Sequence, residues 1–212
     1  MRNPHAIVDW RYEGKPDLSA GTGATASERA IIWIGAAGLV AWMVADMAAS
    51  DTAWAPLQWL VALFIAVDVG GGAVANHLNS CKRFYHSPRR EDESAIVAIA
   101  KNLPLFTAAH VHTLLVYAIW SPTELWAGLL WYVLLLVGAL TVHLTPIYLA
   151  RPVAAIIVGG AIVLNGTTIP AIAHLEWFVP LLFLKIVLGH AVREEPYRPA
   201  PGTRKMRLDK EA

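Results

Sequence analysis

The chain has 212 residues, 56% of them hydrophobic and 16% charged, with a formal net charge of +1. A soluble domain is nearer half apolar and a quarter charged, and here the apolar excess falls in helix-length blocks, which excludes an ordinary water-soluble globule and points to membrane spans. The single cysteine, Cys81, excludes an internal disulfide framework and a cysteine-rich metal site.

Residues 1–29 read as a polar tail without an apolar core of the kind a cleavable signal peptide needs, so the first span is expected to act as its own insertion signal. That span covers about 30–48 and follows Thr25-Ala-Ser-Glu28, a capping-box spacing. A second covers 53–77. The polar stretch that follows contains Ser87-Pro88, expected to cap a short surface helix around 95–100. A third span, 103–120, opens at Leu103-Pro104. Ser121-Pro122-Thr123-Glu124 supplies a cap, a first-turn proline and an acid three residues on, and starts a fourth over 122–147. Pro152 is expected to open a fifth, 152–168, and Pro170 a sixth, 170–191, before a basic tail over 193–212. Each segment has about 17–25 residues, enough for a hydrocarbon core of about 30 Å. The fold class is therefore all-α, an integral membrane bundle of six transmembrane helices within residues 30–192.

Basic residues set the expected orientation. Arg2, Arg11, Lys15 and Arg29 precede the first span, Lys82, Arg83, Arg89 and Arg90 follow the second, Arg151 follows the fourth, and the C-terminal tail is basic. The intervening connections, Ala49–Thr52, Ser121–Thr123 and Ile169–Pro170, carry no lysine or arginine. The positive-inside rule then places both termini in the cytoplasm, most simply that of a bacterium with the protein in its inner membrane. Trp54, Trp120, Trp126 and Trp177 fall near the outer ends, as an aromatic belt requires.

Asp68 lies deep in the second span, where a carboxylate costs about 2.5–3.5 kcal/mol, and such a residue marks a functional site by default. At matching depth, on the cytoplasmic side of the midplane, come His110 and His112 on the third span and Lys185 on the sixth, with His143 nearer the cytoplasmic end of the fourth. Asn76, His77, Asn79 and His190 line the expected cytoplasmic mouth, while Asp46, Asn165, His174 and Glu176 form an outer set. His110 and His112 point roughly 160° apart on a regular helix, so one of them faces the bundle. Gly70-Gly71-Gly72 serves either close helix packing or room beside Asp68. The bland account of Asp68 is an ion pair with Lys185. The sharper one is a carboxylate–imidazole centre.

Six spans in this length resemble the layout of rhomboid intramembrane serine proteases. The fourth span, however, reads Val137-Gly-Ala-Leu-Thr-Val-His143 and lacks their Gly-x-Ser-Gly nucleophile. The Asp-plus-His content also resembles that of zinc-dependent membrane hydrolases such as alkaline ceramidases and adiponectin receptors, without their seven spans or histidine spacings. Three function classes remain. An intramembrane enzyme acting on a lipophilic substrate would use Asp68 as general base or metal ligand, with His110 and His143 as ligands or proton shuttles and Lys185 as charge partner. With those three donors the cofactor would be a divalent metal such as zinc. A small proton-coupled transporter or permease subunit would use the same set as its relay. A b-type haem protein would need two histidines facing across the bundle. The expected partners are the lipid bilayer and a lipophilic small molecule, or protons and a solute. Nucleic acid is not implied. The Gly159-Gly160 pair and the Gly70–Gly72 run suit packing within the chain or between copies of it.

Overall fold

The computed structural model describes residues 12–194, so the outermost basic residues of the two tails, Arg2 and Arg11 and those beyond Glu194, lie outside the described residues. Helices α1 (Ala26–Ala48), α2 (Pro56–Ala75), α3 (Asn79–His86), α4 (Ala95–Ala100), α5 (Leu103–Ala108), α6 (His112–Trp120), α7 (Leu125–Leu144), α8 (Ile147–Leu164) and α9 (Phe178–Phe183) follow in order, and α9 runs on into a π-helical segment, Leu184–His190. Among the described residues there is no strand, only an isolated bridge between Asn165 and Ile169. Five stretches are long and apolar enough to cross a membrane: Ala26–Ala48, Pro56–Ala75, Leu103–Trp120, Pro122–Leu144 and Ile147–Leu164. Their outer faces present large apolar side chains such as Trp33, Ile34, Leu60 and Ile156, each at least 66% exposed. In water such a surface is an aggregation patch; against lipid tails it is ordinary.

Local sequence explains most helix starts. Thr25 Oγ1 accepts from the Glu28 amide at 3.2 Å while a Glu28 carboxylate oxygen accepts from the Thr25 amide at 2.7 Å, so the capping box is formed. Pro56 occupies the first turn of α2, and Gln58 reaches back to the Ala55 amide. Three expected boundaries move. Ser94, not Ser87, caps the short helix α4, accepting from the Val97 amide, and Ser87 instead ends α3. The helix expected to open at Pro152 begins at Ile147 behind Pro146, which leaves Pro152 inside α8. Pro170 opens no helix, because residues 165–177 are held in an irregular fold by Asn165 Nδ2 donating to the Glu176 carbonyl and Tyr117 donating to the Pro170 carbonyl. The sixth apolar helix is therefore the shorter stretch Phe178–His190.

Packing rests on small residues, since lipid tails are as apolar as leucine and association depends on close van der Waals contact. The principal partner of α1 is α2. A Cβ on Gly35 would sit 2.7 Å from a Val74 methyl, and one on Gly70 3.0 Å from Leu39, so these glycines set the distance between the two helices. The Gly70–Gly72 run stays helical throughout.

The two ends of the molecule differ. At the tryptophan-rich end Trp54 packs edge-on against Trp59 and Trp120, at 5.3 and 5.5 Å, over buried Met43, Ala62 and Ala66. Of the four tryptophans expected in a lipid-facing belt, Trp126 is exposed, whereas Trp54, Trp120 and Trp177 pack against this cluster. The outer polar set also closes here: His174 Nδ1 lies 2.6 Å from Asp46 Oδ2 and its Nε2 3.1 Å from Thr52 Oγ1.

At the basic end, residues from Tyr12 onward pack against α3 and α4. Tyr85 donates to the Leu18 carbonyl at 2.5 Å and Ser80 to the Ala20 carbonyl at 2.6 Å. Gly21, at φ +74°, lies so close to Ser80 that a Cβ would fall 2.2 Å from the Ser80 carbonyl carbon. Tyr12 and Lys101 both engage Glu93, and burial together with that carboxylate pushes the Tyr12 phenol up to about 12. Lys82, expected to enforce orientation at the lipid headgroups, is 2% exposed and donates to the carbonyls of Gly189 and Val192. It thus satisfies carbonyls at the end of the last helix that would otherwise be orphaned.

His86 is half-buried beside His190, ring centroids 5.7 Å apart, and desolvation, with Lys82 and Arg193 nearby, pulls its imidazole down from 6.5 to about 3. The unfolded chain therefore binds more protons between those two values, and stability falls as pH drops through that window. The thermal midpoint in detergent is expected to decline steadily as the pH is lowered below about 6.5, and to decline less in His86→Phe. An identical slope in the two proteins would refute this.

Candidate functional site

Asp68 is on α2, three turns beyond Pro56, and Lys185 lies in the π-helical segment after α9. Widened turns of this kind are found mostly where a helix has been adapted to a function. Lys185 reaches across the face of Gly72: a Cβ there would lie 2.5 Å from Lys185 Cε and 2.9 Å from Cδ. That passage lets the ammonium meet Asp68 Oδ2 at 2.6 Å, with Lys185 only 4% exposed. Asn76 fastens the same turn by donating to the Lys185 carbonyl at 3.0 Å. Gly72 thus makes room for the lysine, and Gly70 and Gly71 serve the contact with α1.

Asp68 Oδ2 has a second neighbour, His112 Nε2 at 3.3 Å. The third span is not one helix: α5 ends at Ala108, and α6 restarts at His112. The break changes the angular relation of the two histidines, whose rings lie 5.3 Å apart and 37° from parallel instead of on opposite faces. Lys185 is the ion-pair partner expected for Asp68, and His110 the histidine expected to act with it. The structure gives the histidine contact to His112 and turns His110 Nδ1 to the Phe106 carbonyl at 2.7 Å. A carbonyl can only accept, so Nδ1 carries the proton, and in the neutral ring Nε2 keeps its lone pair.

These groups flank a cavity of about 400 Å³. Asp68, Lys185, His110 and Asn76 supply its polar wall, and Ile32, Trp33, Ala36, Val67, Phe106 and Tyr85 much of the rest. Its rim carries Trp33 on α1, 66% exposed, and exposed Val67 on α2, and at the basic end Leu18, Ser19 and Ala100 line it as well. Towards the tryptophan-rich end from Asp68, Met43, Ala62, Ile65 and Ala66 are packed, none more than 1% exposed.

The remaining candidates are dispersed. His190 stacks on Phe106, centroids 3.9 Å apart, and His110 is tilted against the same ring at 4.6 Å. His77 Nδ1 donates to the Ala73 carbonyl at 2.6 Å, one turn back on its own helix end. Asn79 begins α3 and so leaves the face shared by Asp68 and Gly72. His143 lines a separate cleft with Thr145, Ala191 and Arg193. Asp68, His110 and His143 do not gather into a metal set: among the described residues no cluster of three or more His, Cys, Asp or Glu is placed to hold a metal ion. The sequence does not reveal Lys82 as a cap, Phe106 and Tyr85 as cavity walls, or which of His110 and His112 contacts Asp68.

Gly72→Ala is expected to fold with a modest loss, because the methyl meets the flexible end of a lysine and alanine gains about 1 kcal/mol of helix propensity over glycine. It should lengthen the Lys185–Asp68 contact. In a double-mutant cycle with Asp68→Asn the two changes should therefore be non-additive by about 1 kcal/mol or more; additive unfolding free energies would contradict the placement of Lys185 over Gly72.

No protein-family model matches this chain, and neither curated proteins nor solved structures show a significant match to it.

Proposed function

We infer that this is an integral membrane enzyme that admits a lipophilic substrate sideways from the bilayer and acts on it by acid/base chemistry at Asp68. In this reading Phe178–His190 with the irregular segment before it completes a sixth crossing, the basic end faces the cytoplasm of a bacterial inner membrane, and both termini lie there. The observation that carries it is the cavity with exposed Trp33 and Val67 on its rim, whose apolar walls end on a carboxylate shared by an ammonium and an imidazole. Mostly apolar cavities with a few convergent polar groups are the usual form of small-molecule sites. Asp68 holds or takes up the proton, His112 fixes the carboxylate, and Nε2 of His110 is a second base on the cavity wall. The acid/base form is favoured over a metal-assisted one because the donor residues are dispersed.

Proton-coupled transport is the competing reading, and it needs a path to both faces of the membrane. The packed layer above Asp68 weighs against it. Val67→Trp, a change at an exposed position on the cavity mouth, tests the proposal. Wild-type protein reconstituted with a membrane lipid extract should convert a component of that extract, and Val67→Trp should do so at least about tenfold more slowly with an unchanged thermal midpoint. Solute uptake driven by a pH gradient in vesicles, with no change in the lipids, would replace the enzyme by the transporter.

A further inference from the structure

Lys185 is built differently from the other buried lysines. Lys82 has two backbone carbonyls and lies 3.8 Å from Glu194, and Lys101 bonds Ser87, the Pro88 carbonyl and Glu93. Both are held as ammonium caps with little freedom to react. Lys185 has one hydrogen-bonded partner among the described residues, Asp68 Oδ2, and its end lies on the wall of an apolar cavity. It is the one lysine inside the candidate spans and the apolar helix that follows them. A desolvated lysine with an acceptor beside it is the usual form of an amine that attacks carbonyl groups.

We propose that Lys185 is a covalent attachment site for lipophilic aldehydes, which enter the cavity and condense with its ε-amine to an imine. This rests on the lipophilic-substrate reading of the same cavity and names the class of group it recognises. The ammonium first passes a proton to Asp68 Oδ2, 2.6 Å away. The freed amine pair attacks the aldehyde carbon, a C–N bond forms, and the carbonyl π pair moves to oxygen. That oxygen takes a proton to give a carbinolamine. One nitrogen proton leaves to His110 Nε2, the hydroxyl departs as water with that proton returned to it, and the nitrogen pair closes the C=N bond. The nitrogen still carries its third proton, so this closure gives the iminium directly. In sum, aldehyde and ammonium give iminium and water, with one positive charge on each side.

That conservation of charge suits this position. An uncompensated buried charge is costly, and the ion pair with Asp68 is present both before the reaction, as ammonium, and after it, as iminium. His112, on the same carboxylate oxygen at 3.3 Å, keeps the carboxylate oriented while its partner changes from ammonium to iminium. Gly72 provides the passage, since any side chain there would displace the end of the lysine.

The experiment uses the full chain in lipid nanodiscs with decanal as probe and borohydride to trap the imine as a secondary amine, followed by peptide mapping. Lys185 should gain one alkyl group at least about tenfold faster than exposed Lys15, although it is the less accessible of the two, and decanol, which fills the cavity without a carbonyl, should protect it. Labelling of Lys185 no faster than of Lys15 overturns the proposal. Radiolabelled decanol separates the two levels of failure. If it binds saturably and Val67→Trp abolishes that binding, a missing adduct sinks the imine and leaves the lipophile site standing. If it does not bind, both fall. Lys185→Met, assayed for decanol binding to show that it is folded, should lose the adduct and keep the alcohol.

Discussion

Asp68→Asn is expected to destabilise the protein by about 3 kcal/mol, because it leaves a buried ammonium without its carboxylate; breaking a buried pair from one side costs about 3–5 kcal/mol, and the Asp68 side chain, 35% exposed, puts this pair at the low end. Lys185, 4% exposed and bonded to Asp68 Oδ2 at 2.6 Å, has no other hydrogen-bond acceptor among the described residues. The matched double change Asp68→Asn with Lys185→Met should recover most of the loss, since removing both charges removes the desolvation penalty with them. Unfolding midpoints in detergent for the two single and the double variants test this. A double variant no more stable than Asp68→Asn would mean that His112, 3.3 Å from the same oxygen, and not Lys185, is the partner that matters. The result also bears on function, because a pair that is only structural would restore both stability and turnover when replaced together. The proposed chemistry predicts recovery of stability alone.

Lys82→Met is the second large effect. It removes donors to the Gly189 and Val192 carbonyls and leaves Glu194 with Arg151 as its remaining ion-pair partner. A buried polar group that loses its partner costs about 1–3 kcal/mol, so with two carbonyls affected the loss should reach about 3 kcal/mol, read as a lower unfolding midpoint. Hydrogen exchange should rise first in Leu184–His190, the segment that carries Lys185. Burial pulls the Lys82 ammonium from 10.5 down to about 8, against the raising influence of Glu194, so the unfolded chain binds more protons between those values. Stability contributed through this group therefore increases as pH rises from about 8 towards 10.5, and Lys82→Met should lose that dependence. A variant with wild-type stability and unchanged exchange would show that the lysine only sets orientation.

How much of this was legible in the residues differs from helix to helix. The capping box at Thr25 and the apolar run after it determine α1 locally, and the structure follows them. The Asp68–Lys185 contact was also readable, because depth in a span constrains which charges can meet. The break between α5 and α6 was not. It falls at Ala109–Val111, without proline or glycine, so no local signal announces it, and with it went the choice between His110 and His112. Prolines misled in two places. Pro152 is accommodated inside α8, where it forgoes one hydrogen bond, and Pro170 sits in a segment whose shape is set by distant partners, Tyr117 and Glu176. The role of Lys82 depends on the end of a helix more than a hundred residues away in sequence, which periodicity cannot reveal.

The separation of Asp68 from Lys185 by 117 positions has a consequence for biogenesis. At about 5–20 residues per second of synthesis, α2 enters the bilayer on the order of ten seconds before the lysine exists. During that interval the α1–α2 hairpin, held by Gly35 and Gly70, must carry its acid without the cation that will neutralise it. His112 is translated earlier and is the first polar partner to arrive. The nascent chain therefore passes through a stage in which an imidazole shelters the carboxylate, and a chain truncated after α6 should insert more efficiently with His112 than with His112→Leu.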